Sequence, residues 1–238
     1  MNKTYSTRKV AQLILLQRIE LAGPKLVKIR KLFGRYLFTN FVTKYFINHN
    51  SIVTRYLEIM QQEVQMLQKY IDFSNKKILS IGCGMGGLEI EINKRFKSTN
   101  FDIIEKDYIS KKVKYGWDTN NAEAYNDLSL LNLFLKNHGI IEGSFNIHNS
   151  DMQELPTKKY DLIISLFSLD YHYNFNIYHA YFEKVSDNKT LIIFDTIRVD
   201  YFKSIFKNVL VIQSDEKTIH SSKRIICSEF INQQIQNK

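Results

Sequence analysis

Residues 78–90 read ILSIGCGMGGLEI, and four of the nine glycines in this 238-residue chain fall within positions 82–87. Glycine inside a regular element costs roughly 0.5–1 kcal/mol against alanine, so such a cluster marks backbone angles or close approaches that a side chain would forbid. Before it, residues 77–81 form a short apolar run suited to a buried strand; after it, Leu88, Ile90, Ile92 and Phe96 lead into a helix-like, partly charged stretch. The glycines therefore occupy a strand-to-helix turn. At such a turn the first helical amides point outward unpaired and carry partial positive charge, which outlines a cradle for a nucleotide-like cofactor.

Outward from this turn the texture of the chain differs on the two sides. The first 70 residues carry only Gly23, Pro24 and Gly34 as breakers, and their apolar residues recur at helical spacing, which predicts three or four helices. In the clearest of them Ile52, Val53, Tyr56, Leu57, Met60, Val64, Leu67 and Ile71 make one stripe, with Ser51 as the expected cap. From Lys77 onward short apolar strands alternate with longer polar segments, the pattern of a doubly wound α/β sheet. Strands are expected at 78–81, 101–105, 144–148, 160–166, 190–196, 209–214 and 224–229. The last two are separated only by SDEKTIHSSK or less, too short for a crossover helix, so they are expected to pair antiparallel at the end of an otherwise parallel sheet. The expected organisation is a basic helical extension or cap over residues 1–72, followed by a cofactor-binding domain over 73–238.

Composition sets the wider bounds. At 44% hydrophobic and 24% charged residues the chain reads as an ordinary globular protein. It has no apolar run near the ~18 residues of a spanning helix, and its polar, basic start lacks a signal peptide's compact apolar segment. Cys83 and Cys227 form no disulfide framework or ligand cluster, which fits a reducing compartment, and the expected location is the cytoplasm. The net charge of +9 is concentrated, because residues 1–50 hold ten Lys or Arg against the single acid Glu20. Lys25, Lys28, Arg30, Lys31 and Arg35 interleave with Leu26, Val27, Ile29, Leu32, Phe33 and Leu37 in a basic amphipathic pattern. Four readings stay open for it: a helix packed on the core with its lysines solvated, a grip on RNA, peripheral contact with an anionic membrane, or contact with an acidic substrate.

The glycines alone admit two cofactors. Gly82, Gly84 and Gly87 fit the dinucleotide fingerprint GxGxxG, with Glu105 following about 20 residues on as a ribose-binding acid. Gly82, Gly84 and Gly86 equally fit GxGxG, and in this the stretch resembles the glycine loop of class I S-adenosylmethionine-dependent methyltransferases. Residues 149–173, NSDMQELPTKKYDLIISLFSLDYHY, favour the second choice. They resemble that family's third and fourth motifs: an acid just past the third strand, a short turn with Leu-Pro, then Tyr-Asp-Leu-Ile-Ile-Ser. The resemblance covers about residues 72–230 and implies a Rossmann-like, seven-stranded, mostly parallel sheet whose last strand runs antiparallel. It implies S-adenosylmethionine held by Gly82, Cys83, Gly84, Gly86, Glu105, Asp151, Met152 and Leu166. Within that set Glu105, in preference to Asp107, takes the ribose hydroxyls, Asp151 accepts from the adenine amino group, Met152 packs on the ring, and Cys83 is a small loop filler whose backbone matters.

Methyl transfer needs alignment of nucleophile, methyl and sulfur, and a base where the nucleophile is a hydroxyl. SLDYHY places Asp170, Tyr171, His172 and Tyr173 just beyond the fourth strand, and lacks the Asn/Asp-Pro-Pro-Tyr tetrapeptide of amino-methylating nucleic acid enzymes. It is similar instead to the corresponding region of small-molecule and sugar O-methyltransferases. His172 is therefore the candidate general base, with Tyr171, Tyr173 and Asp170 as candidate substrate-binding residues. Asp170 and Asp195 alone offer too few oxygens for a divalent ion, and no metal is expected. Arg198 either meets an acidic substrate or forms a salt bridge. The expected function is O-methylation of a sugar or other hydroxylated small molecule; the alternatives are an RNA methyltransferase gripping phosphates with residues 1–50, and a non-catalytic binding module of the same fold.

Overall fold

The computed structural model describes residues 6–96, 99–110, 124–152, 154–170, 173–213 and 222–231, with the backbone alone for residues 29–33. Four helices come first: α1 (Thr7–Gln17), α2 (Pro24–Phe33), α3 (Arg35–Tyr45) and α4 (His49–Leu67), with a 3₁₀ turn at Ile19–Ala22. Then follow β1 (Lys77–Ile81), α5 (Gly87–Arg95), β2 (Asn100–Glu105), α6 (Leu128–Asn137), β3 (Phe145–Asn149), β4 (Leu162–Ser165), α7 (His179–Val185), β5 (Leu191–Thr196), α8 (Val199–Lys203), β6 (Phe206–Gln213) and β7 (Lys223–Phe230).

The strands form one sheet in the order β3-β2-β1-β4-β5-β7-β6. β1 is central and parallel to both β2 and β4, Ile78 lying level with Phe101 on one side and Leu162 on the other. β7 runs antiparallel between β5 and β6, as expected from the short final connection. β6 starts three residues earlier than the apolar run at 209 predicts, because Phe206 is buried and pairs with Phe230 across the strands.

Alternation along the strands divides the core between two faces. Ile78, Phe101, Ile103, Leu162 and Ile164 face α1, α4, α5 and α6; Leu79, Ile81, Ile104 and Ile163 face α7 and α8. A parallel sheet covered on both faces explains why its strands read as nearly continuous apolar runs. Val10, Leu13, Ile14, Tyr56, Met60, Val64 and Leu67 share the first of these clusters with the sheet, so the N-terminal helices are built into the same core. The stripe of α4 is buried as its spacing predicts, but the helix begins earlier than Ser51. Asn48 is the cap, its side chain accepting from the Ser51 amide at 3.2 Å, because its extended backbone puts the carboxamide over the first turn.

Candidate functional site

The strand order reverses between β1 and β4, and ligands of open α/β sheets bind outside the carboxyl ends of the strands at such a switch point. A cleft of 190 Å³ opens there, lined by Gly82 after β1, Glu105 and Lys106 after β2, Ser150 and Asp151 after β3, and Ser168 after β4; Tyr173, Ile177 and Tyr178 close it from the side.

The glycine loop is shaped by close approach as much as by dihedral angle. Gly82, Gly84 and Gly86 have φ of 66°, 61° and 70°, in the left-handed region. A Cβ on Gly82 would lie 2.1 Å from Ser168 Oγ, so only glycine lets β1 and the loop after β4 meet at the cleft floor. Gly87 is needed for a different reason: a Cβ there would fall 2.6 Å from the ring of Tyr56 on α4. The Gly87 amide donates to Tyr56 Oη at 3.0 Å. Gln17, at the end of α1, lies against Gly84 and donates to the Tyr125 carbonyl at 2.8 Å, which brings the N-terminal helices to the mouth of the loop. Cys83 is half-buried, its Sγ directed to the Gly84 carbonyl.

Glu105 ends β2 with its carboxylate accepting from the Gly84 amide at 2.8 Å and the Lys106 amide at 2.9 Å. Burial pushes its pKa up, against these hydrogen bonds and one from Asn126. Asp107 is directed elsewhere, accepting from the Leu128 amide at the start of α6. Asp151 stands on the turn after β3, half-exposed, its carboxylate 3.0 Å from Lys106 Nζ. Tyr178 faces the same space: burial first, then the charges of Glu105 and Asp151, push its hydroxyl up to about 12.

Other sequence candidates are placed away from the cleft. Met152 is 82% exposed, because the turn after β3 points it outward, and does not line the cavity expected to hold a ring against it. Leu166 packs into the core beside the sheet. Asp170, expected to meet substrate, is buried with φ of 57°; it pairs with Arg198 and accepts from Thr196 Oγ1 at 2.5 Å, so it fastens the loop after β4 to the end of β5. That also settles Arg198, whose partner is this buried acid. Asp195 is likewise engaged, holding Arg224 through both carboxylate oxygens at 2.9 and 3.1 Å and receiving the Phe167 amide at 3.0 Å. Arg224 also reaches Glu63 on α4. Tyr171 and His172 lie outside the described residues; beside them, the Asp170 amide donates to the Tyr173 carbonyl at 2.6 Å.

Lys106, Ser150, Ser168, Ile177 and Tyr178 were not singled out by the sequence. Lys106 and Ser150 adjoin predicted strand ends and were open to that inference. Tyr178 was not, since nothing local distinguishes it among 14 tyrosines.

A central β1, its glycine turn and an antiparallel β7 inserted between β5 and β6 define a doubly wound α/β protein with a cleft at the switch point. The chain has the fold of the class I S-adenosylmethionine-dependent methyltransferases. A protein from Nostoc punctiforme PCC 73102, assigned as an O-methyltransferase, superposes with a TM-score of 0.51 at 10% identity over 76% of this chain and 58% of that one. Coclaurine N-methyltransferase matches with a TM-score of 0.40 at 12% identity over 63% of this chain and 36% of that one. The ribosomal protein L11 methylase of Lactobacillus delbrueckii subsp. bulgaricus matches with a TM-score of 0.45 at 12% identity, over 77% and 80% of the two chains. This chain thus spans 58% and 36% of the lengths of the first two. No protein family and no curated protein sequence matches it.

Proposed function

We propose that this chain is an S-adenosylmethionine-dependent methyltransferase acting on a hydroxyl of a sugar or other small molecule. The observation that carries the cofactor reading is the convergence of Gly82, Glu105 and Asp151, from the ends of three different strands, on one cleft. The donor and acceptor set fits that cofactor: Gly82 brings backbone without a side chain to the cleft lining, Glu105 offers a carboxylate to a pair of ribose hydroxyls, and Asp151 offers one to an exocyclic amine. When bound, S-adenosylmethionine supplies an electrophilic sulfonium methyl group.

The chain's own part is alignment and proton removal. Glu105 would exchange its bond from the Gly84 amide for ribose hydroxyls, which would leave that amide as a donor to the ligand. Tyr173 and Tyr178 line the cleft. His172 is assigned as the general base for the acceptor hydroxyl, on its place in the sequence just beyond β4 and on the suitability of a neutral imidazole for taking up a hydroxyl proton.

Two measurements test the proposal in sequence. S-adenosylhomocysteine is expected to raise the thermal midpoint and NAD to leave it unchanged; the reverse result removes the cofactor assignment. Methyl-labelled cofactor is then mixed with cell extract and the label is followed into small molecules and glycans, RNA and protein. Label in the first pool, abolished by His172→Ala with S-adenosylhomocysteine binding intact, is the expected outcome. Label in RNA overturns the substrate class.

A further inference from the structure

α3 is apolar on two opposite faces. Phe38, Thr39, Val42 and Thr43 are buried against the rest of the protein, as one face of an amphipathic helix should be. Leu37, Phe41 and Tyr45, spaced i, i+4, i+8, lie on the other side with Phe46 directly after them, and all four are between 52% and 64% exposed. Phe41 packs on Tyr45 and Phe46 with ring centroids 5.3 and 5.4 Å apart, so they form one contiguous patch. Its border is basic. Lys44 Nζ sits 4.8 Å from the Tyr45 ring, and Arg8 on α1 reaches Asn40, on the same exposed side, at 3.2 Å. Lys9, Lys25 and Lys28 are exposed on the adjoining helices, and the one acid in the first 50 residues, Glu20, lies near Arg18 at 3.7 Å.

We propose that this face docks on the surface of an anionic lipid bilayer, with Leu37, Phe41 and Phe46 entering the boundary between headgroups and acyl chains and Arg8 and Lys44 meeting lipid phosphates. Aliphatic and aromatic side chains on one helix face, bordered by cations, match the composition of interfacial helices. The charge pattern selects the occupant. A second copy of this chain would bring one strongly basic face against another, and an RNA strand would satisfy the cations while leaving aliphatic Leu37 without a partner. Among the described residues no helix is long and apolar enough to cross a membrane, so the contact is peripheral. This inference stands apart from the methyltransferase reading, because none of these residues lines the cleft.

The test is co-sedimentation of the full chain with phosphatidylcholine vesicles, with and without phosphatidylglycerol. The expected result is binding to the anionic vesicles that weakens with salt. Phe41→Asp is expected to weaken it roughly tenfold, and Lys44→Glu to weaken it about fivefold. Both positions are exposed, so circular dichroism and the thermal midpoint of each variant should match those of the parent. Failure to bind anionic vesicles, or equal binding by Phe41→Asp, overturns the proposal. So does an effect of Phe41→Asp confined to self-association in sedimentation velocity, or to affinity for single-stranded RNA.

Discussion

The phenol oxygen of Tyr56, in the middle of α4, accepts the backbone amide of Gly87 at 3.0 Å and so joins the N-terminal helices to the glycine turn. The amide opens α5, where an unpaired donor in the core would be costly. Tyr56 is itself buried, and burial pushes its hydroxyl far above the ordinary tyrosine value, so it stays a neutral partner at any physiological pH. The fourth glycine of the cluster therefore answers to the helical segment that precedes the sheet.

Gly87→Ala is expected to lower stability by about 1–3 kcal/mol, because the new methyl must displace the Tyr56 ring in a filled core. Tyr56→Phe keeps the ring and removes the acceptor, with an expected cost of about 1–3 kcal/mol for the orphaned amide. Chemical denaturation of the two variants and their double mutant checks this, and the double-mutant cycle should show coupling.

Glu105→Gln is expected to weaken S-adenosylhomocysteine binding by roughly 10- to 100-fold in calorimetry, since a charged acceptor of two hydroxyls becomes a neutral amide. Asp107→Asn should leave affinity within about threefold, because Asp107 serves the α6 start instead. Equal losses in the two variants would reverse the choice between these acids.

Glu89 gives a pH signature. It is buried on α5, one oxygen accepting from Ser80 Oγ on β1 at 2.5 Å and the other without a hydrogen-bond partner among the described residues. Burial is the main cause that pushes its pKa from 4.5 up to about 7, partly opposed by the Ser80 bond. Between those two values the folded protein holds a proton that the unfolded chain has released, so this group's contribution to stability falls as pH rises through the window. Glu89→Gln is expected to be neutral near pH 4 and stabilising at pH 8 by up to about 3 kcal/mol. Denaturant midpoints of both proteins across that range would show it; parallel curves would refute it.

Arg224 is fully buried on β7 and binds Asp195 on β5 and Glu63 on α4. Arg224→Ala would strand two carboxylates and is expected to destabilise by about 3–5 kcal/mol. Arg224→Met paired with Asp195→Asn and Glu63→Gln should recover much of that loss, measured by thermal denaturation, because no unpaired charge then remains buried.

Much of this architecture is legible in the residues themselves. The apolar runs give all seven strands, most directly β1, β2, β4 and β5, where a parallel sheet covered on both faces leaves few polar interruptions to mislead. The glycines give the turn, because positive φ excludes most other residues at 82, 84 and 86. Errors fall where a neighbour in space decides. Asn48 rather than Ser51 caps α4 because both residue types suit the position and backbone geometry selects between them. Met152 follows an acid in the expected order, yet its turn directs it to solvent.

The sequence by itself determined the class of fold, the strand-to-helix turn at 82–87 and the acids at the strand ends, because each depends on local periodicity or on a residue's own conformational limits. Only the tertiary structure decided which acids face the cleft, that Asp170 and Asp195 are engaged by arginines, that Tyr178 joins Glu105 and Asp151, and that α3 shows an apolar face to solvent. Those depend on which distant segments meet, and the charges and volumes that settle them lie tens of residues apart along the chain.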